Sequence, residues 1–194
     1  MPAKDVRVVT LRSVVLTREK RALVAAELDK YATATNHVIR TIVKQRDIIS
    51  SVKAIKASEE KIIESLKTSF FSEIDPREHY LRDVVRTAIR TIAEHRRKTR
   101  GVAGARNRPP LFNHGRLVFS PPLVRVTRMA LVLYLGHENE LSIPFEKTSR
   151  SRESALLESI ATETRSGPRM GRVRLTWAKE GRFRIDIRLA APAD

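Results

Sequence analysis

The chain has 194 residues, 41% of them hydrophobic, and 38 Lys plus Arg against 22 Asp plus Glu give it a net charge of +16. The apolar content suffices for a core and excludes wholesale disorder, while so large a positive excess opposes a compact state unless a polyanion offsets it. The absence of cysteine excludes disulfides, thiolate zinc sites and a cysteine nucleophile. No apolar run approaches the roughly 20 residues of a spanning helix, and the N-terminus lacks a secretory apolar region, so a cytoplasmic, membrane-free protein is expected.

Val6 to Leu16 is β-branched and partly alternating, with Val6, Val8, Thr10, Val14 and Leu16 on one parity, and predicts an opening strand. Thr17 then suits an N-cap with Glu19 in the first turn. Leu23, Glu27, Leu28, Tyr31, Thr35, Val38 and Ile42 continue at helical spacing to about Ile49. Ser50 to Ala57 reads equally as a break or as more helix. A second helix is expected from Ser58, with Glu59 and Glu60 at its positive end and Ile62, Ile63 and Leu66 inward. A third helix start is read in Asp75-Pro76-Arg77-Glu78, with Asp75 as cap, Pro76 in the first helical position and Glu78 closing a capping box. Leu81, Val84, Val85, Ala88, Ile89 and Ile92 form the apolar stripe of that helix, and Gly101 to Pro110 forms an exposed linker.

The second half reads as β-rich. Leu117–Phe119, Leu123–Thr127, Ala130–Leu135 and Leu141–Ile143 are short strand candidates, followed by a short helix over Arg152–Thr164. Val173–Ala178 and Phe183–Leu189 read as a hairpin across Lys179-Glu180-Gly181-Arg182. Alternation places Val173, Leu175 and Trp177 on one face and Arg172, Arg174 and Thr176 on the other. Phe183, Ile185, Ile187 and Leu189 likewise oppose Arg182, Arg184, Asp186 and Arg188.

Two basic surfaces follow. Arg82, Arg86 and Arg90 recur every four residues with Arg97 two turns on, one stripe beside the apolar face of the third helix. Between Arg77 and Arg108, ten Lys or Arg stand against three acids, too many for local partners such as Asp83 and Glu94 to neutralise. From Arg165 to Arg188, eight Lys or Arg stand against two acids, which exceeds what protection of a sheet edge requires. Asp186, without an acidic companion, is expected to pair with Arg174 or Arg184. Planar guanidinium forks suit phosphate oxygens, so both surfaces are expected to bind nucleic acid. The aromatic residues are expected in the core, with Phe112, between prolines and His114, a candidate for base stacking. His37, His79, His95, His114 and His137 lack metal-ligand spacing, and no phosphate loop or carboxylate pair suited to two-metal chemistry is found. No cofactor and no catalytic residue are expected.

Several segments carry a family likeness. Val9-Thr10-Leu11-Arg12, then Leu16-Thr17-Arg18-Glu19-Lys20 with Asn36 in a long helix, resemble the N-terminus of TnpB, the transposon-encoded RNA-guided nucleases related to type V CRISPR effectors. Leu131 to Gly136, Leu141 to Pro144, and the pair Gly171 to Leu175 and Gly181 to Ile185 resemble that family's return to β structure. The resemblance implies the wedge-plus-recognition half of such a protein, able to hold guide RNA and duplex DNA. The RuvC nuclease domain with its catalytic carboxylates and Cys-rich element has no counterpart within these 194 residues.

The expected fold is α+β, with a small β-barrel-like, wedge-like domain from 1–16 and 111–194 and an inserted helical domain at 17–110. The expected function is binding of a structured, guide-like RNA in a ribonucleoprotein, without nuclease activity. Arg82, Arg86, Arg90 and Arg97 would grip the backbone from the helices, and Arg172, Arg174, Arg182, Arg184 and Arg188 from the sheet. Six to ten phosphate contacts would lose roughly 10³–10⁵ in affinity between about 50 and 200 mM salt. The alternatives are a duplex-DNA-binding regulator or architectural protein derived from a transposon protein, and a subunit that recruits a nuclease or ribosomal assembly, a protein partner then supplying catalysis.

Overall fold

A computed structural model describes residues 7–44, 57–102, 104, 108–136, 139–162 and 169–190. Val6, His137, the expected helix ends at 45–49 and 163–164, most of Ser50–Ala57 and part of the Gly101–Pro110 linker lie outside the described residues.

The chain divides into two compact units, Met1–Glu27 with Gly115–Asp194, and Leu28–His114. The division falls inside the first helix, about three turns later than the boundary expected at residue 16.

Among the described residues, three helical segments build the second unit. They are the C-terminal part of α1 (Arg18–Lys44), α2 (Glu59–Glu73) and α3 (Glu78–Lys98), followed by the returning segment 108–114. Ile62, Ile63, Leu66 and Phe70 of α2, and Leu81, Val84, Val85, Ala88, Ile89 and Ile92 of α3, are buried as their spacing requires. Around the wholly buried Tyr31, the rings of Tyr80 and Phe112 pack edge-on, each at 5.8 Å between centroids. The Tyr31 hydroxyl shares a 2.7 Å hydrogen bond with Thr87 Oγ1, so the polar end of the ring is satisfied inside the core. Phe112 is therefore a core residue and not an exposed stacking platform. Asn36 fixes it there: its Nδ2 donates to the Phe112 carbonyl at 3.1 Å, and its Oδ1 accepts the Phe112 N–H at 2.8 Å.

The start of α3 differs from the expected capping box. Arg77 takes the N-cap position in extended conformation, two residues after Asp75. The Asp75 N–H is already bound by the Phe70 carbonyl, so it is closed to Glu78, which turns instead to Arg82. The Asp75 carboxylate is almost wholly buried and accepts from Lys30 Nζ at 2.6 Å, the Arg77 N–H at 2.9 Å, and Arg77 Nε and Nη2 at 2.8 and 2.7 Å.

The first unit holds two antiparallel sheets. β1 (Arg7–Arg12), β7 (Phe183–Ala190), β6 (Arg169–Trp177) and β2 (Arg116–Phe119) form a four-stranded sheet in the order β1-β7-β6-β2. β3 (Val124–Val126), β4 (Ala130–Tyr134) and β5 (Glu140–Pro144) form a three-stranded one in sequence order. They are stitched at one corner by the buried Ser13, which bridges Phe145 and donates its N–H to the Phe183 carbonyl while its Oγ accepts the Phe183 N–H. Among the described residues the two sheets do not close into a barrel. The expected helix near Arg152 is two short ones, α4 (Lys147–Arg152) and α5 (Ser154–Ala161), the latter burying Leu157 and Ile160.

Up to Ser13 the opening strand buries the parity opposite to that of Val8 and Thr10. Val9, Leu11 and Ser13 face inward, whereas Val8 is 48% exposed. Both parities carry apolar residues, so alternation alone was ambiguous. Register decides it: Thr10 lies opposite Asp186 and Arg12 opposite Arg184. A slip by one residue would turn Arg12 into the core.

Candidate nucleic-acid interface

In the β unit, the hairpin from β6 to β7 places its arginines as alternation requires. The strands meet through a turn at Lys179–Gly181, in which Glu180 and Gly181 both adopt positive φ. Val173, Leu175, Ile185, Ile187 and Leu189 are buried on the inner face. On the outer face, cross-strand register builds two rows. One runs Arg12, Arg184, Thr176, Arg116 from β1 to β2, and the next runs Thr10, Asp186, Arg174, Val118. Arg188 continues the face opposite Val8, and Arg172 adjoins the irregularity between Met170 and Val173. A Cβ on Gly171, within that irregularity, would lie 3.2 Å from the Arg188 carbonyl, a tight approach.

Arg12, Arg174, Arg184 and Arg188 are exposed, and Arg116 and Arg172 are half-buried. Asp186 is buried at their centre. Its Oδ1 accepts from Thr10 Oγ1 at 2.7 Å and Arg184 Nε at 2.9 Å, and its Oδ2 from Arg174 Nε at 3.1 Å and Nη2 at 3.0 Å. Burial pushes the Asp186 carboxyl up, but the hydrogen bonds from Arg184 and Thr10 and the charges of Arg184 and Arg174 outweigh it and hold the carboxyl below its ordinary value. The expected pairing of Asp186 with these two arginines is thus met by both at once.

Arg182 follows the turn, and its Nη1 donates to Glu146 at 2.8 Å, so this guanidinium already has a carboxylate partner. Trp177 lies at the end of the inner face, edge-on to Phe183 at 4.9 Å and 42% exposed. Arg12 and Arg116 belong to the face but were not among the expected site residues. Their signal was the polar parity of β1 and β2, readable only once the strand order is known.

In the helical unit, Arg82, Arg86 and Arg90 do line one stripe of α3, but each meets a carboxylate. Arg82 donates from Nε to Glu78 at 3.1 Å and from Nη1 to Glu60 at 3.0 Å. Arg86 Nε donates to Glu59 at 2.5 Å, and Arg90 Nε to Glu94 at 3.2 Å, one turn on. The hydrogen bond from Arg82 and the charges of Lys67 and Arg82 hold the Glu78 carboxyl below its ordinary value. The acids missing from the count between Arg77 and Arg108 come from the first turn of α2, where Glu59 and Glu60 also complement the helix dipole. Asp83, the other expected local partner, is buried in the core. Arg97 is exposed near the end of α3, in a last turn with His95, Arg96 and Lys98 that suits the negative end of the helix.

Among the described residues, no group of three or more His, Asp or Glu stands close enough to hold a metal, and no helix is long and apolar enough to cross a membrane. His114 pairs with Asp29 at 3.0 Å on an exposed surface. No protein-family model matches the chain, and no curated protein matches it.

Proposed function

We propose that the protein binds nucleic acid, structured RNA in preference to duplex DNA, through the outer face of its four-stranded sheet. One observation carries this reading. Arg174, Arg184 and Arg188 stand on β6 and β7, the two inner strands of the order β1-β7-β6-β2. Protection of a free edge, the simplest structural use of such charges, therefore does not account for them. Arg174 and Arg184 are 48% and 57% exposed and share one buried carboxylate, Asp186, so their pair keeps an excess of positive charge, which is what phosphate oxygens neutralise.

The face carries no aromatic ring, so its contacts are with the backbone and sequence contributes little. Arg82, Arg86 and Arg90 contribute less than their spacing suggests, because a phosphate would have to displace carboxylates already in place. Four to six phosphate contacts then replace the six to ten counted from sequence, and affinity falls by about 10²–10³ between about 50 and 200 mM salt. In the TnpB-like reading, this is the guide-holding half of an RNA-guided nuclease, with cutting supplied by another chain or domain.

The test is purification at low salt, sequencing of any RNA that remains bound, and titration of the stripped protein with an RNA hairpin and duplex DNA of equal length. A discrete bound RNA and tighter hairpin binding are expected. Preference for duplex DNA selects the regulator, and binding to neither overturns the reading.

A further inference from the structure

The proposed face contains its own contradiction: a carboxylate at the centre of a surface meant for phosphates. Repulsion alone would predict that losing Asp186 improves binding. Its surroundings point the other way. Asp186 is only 3% exposed and lies beneath the two guanidiniums it holds, whose side chains are 48% and 57% exposed at Arg174 and Arg184. An incoming anion meets the arginines before it meets the acid.

The bonds are also divided so that donors remain. Asp186 takes Nε and Nη2 of Arg174 and Nε of Arg184, and Nη1 of the first and both Nη groups of the second take no part in these bonds. Thr10, reaching from β1, fixes the oxygen that Arg184 uses. An arginine side chain carries substantial rotamer entropy, and one already held in its bound orientation does not lose that freedom again on binding. Without the carboxylate, Arg174 and Arg184 would also repel each other across adjacent strands.

We infer that Asp186 is the positioning residue of this face: it holds Arg174 and Arg184 in the orientation that meets a phosphate backbone, and its removal weakens binding although it raises the net charge of the protein. The inference rests on the nucleic-acid reading above. Asp186→Asn is the sharpest variant, because it keeps the shape and one acceptor while turning amide hydrogens toward guanidinium donors or leaving them a neutral oxygen.

The probe is a labelled RNA hairpin of fixed sequence, titrated by fluorescence anisotropy over a salt series, with the folded fraction measured separately by circular dichroism. Asp186→Asn should bind about tenfold more weakly per folded molecule, the loss of one charge-assisted contact, with a salt slope shallower by about one phosphate. In an Arg174→Ala/Arg184→Ala background the same substitution should cost nothing further. Equal or tighter binding by Asp186→Asn overturns the inference, as does an undiminished loss in the double-alanine background. Should Asp186→Asn not fold, Thr10→Val decides: about a threefold loss supports the inference and unchanged affinity overturns it. Wild-type protein that fails to bind the hairpin and duplex DNA alike overturns the nucleic-acid reading itself, an outcome distinct from either.

Discussion

Arg86 on α3 and Arg184 on β7 are the same side chain in two kinds of company. Arg86 meets Glu59 one to one, and its neighbours Arg82 and Arg90 have Glu60, Glu78 and Glu94. Arg184 shares Asp186 with Arg174, on a face that also exposes Arg12 and Arg188. On the helix the carboxylates match or outnumber the guanidiniums, so the stripe is nearly neutral. On the sheet a single carboxylate serves two guanidiniums and leaves an excess of positive charge. A run of arginines in a sequence is thus two different objects, an interhelical brace or a face that keeps an excess of positive charge, and the placement of the acids separates them.

The largest expected effect breaks the comparison outright. Reversing Arg174 and Arg184 to Glu should weaken RNA binding by about 10² or more, because each charged hydrogen bond contributes roughly 1.5–3 kcal/mol and tenfold corresponds to about 1.4 kcal/mol. Reversing Arg82 and Arg86 should leave affinity nearly unchanged and lower the melting temperature instead. Anisotropy titration beside thermal unfolding reads both, and the opposite assignment would return the site to α3.

A second effect belongs to the helical unit alone. Asp75→Asn should cost about 2–3 kcal/mol in urea unfolding, less than the 3–5 kcal/mol of a fully buried pair because Lys30 is 37% exposed. Burial raises the Asp75 carboxyl, but hydrogen bonds from Arg77 and Lys30 more than offset it, leaving the group below its ordinary value of 3.8. A carboxyl lowered in the folded state stabilises fully above the unfolded value, and this contribution is lost as pH falls through the lowered one. Acid unfolding below about pH 4 should therefore be steeper in the parent than in Asp75→Asn.

The smallest effect sharpens the account of the brace. Arg86→Glu should cost up to about 1 kcal/mol, the scale of a partly exposed pair, and Glu59→Arg in the same chain should recover most of it. RNA affinity should be the same in all three proteins, since none alters the sheet.

Local periodicity carried much of this protein into view. The apolar stripe from Leu81 to Ile92, the inward set of α2 and the alternation of β6 and β7 were legible because 3.6- and 2-residue periods act within one element. So was the attraction of Asp186 for Arg174, a neighbour across the hairpin 12 residues away. What lay beyond reach depended on which elements pack together. Glu59 meets Arg86 across 27 residues, Asn36 seats Phe112 across 76, and Thr10 reaches Asp186 across 176. One of the two partners of Asp75 was hidden for the same reason, since Lys30 lies 45 residues earlier on another helix. Sequence by itself determined the elements, their apolar faces and the size of the charge excess, because those follow from residue type and short spacing. Only the tertiary structure decided where that excess remains, because neutralisation is a matter of distance between side chains and not of their number.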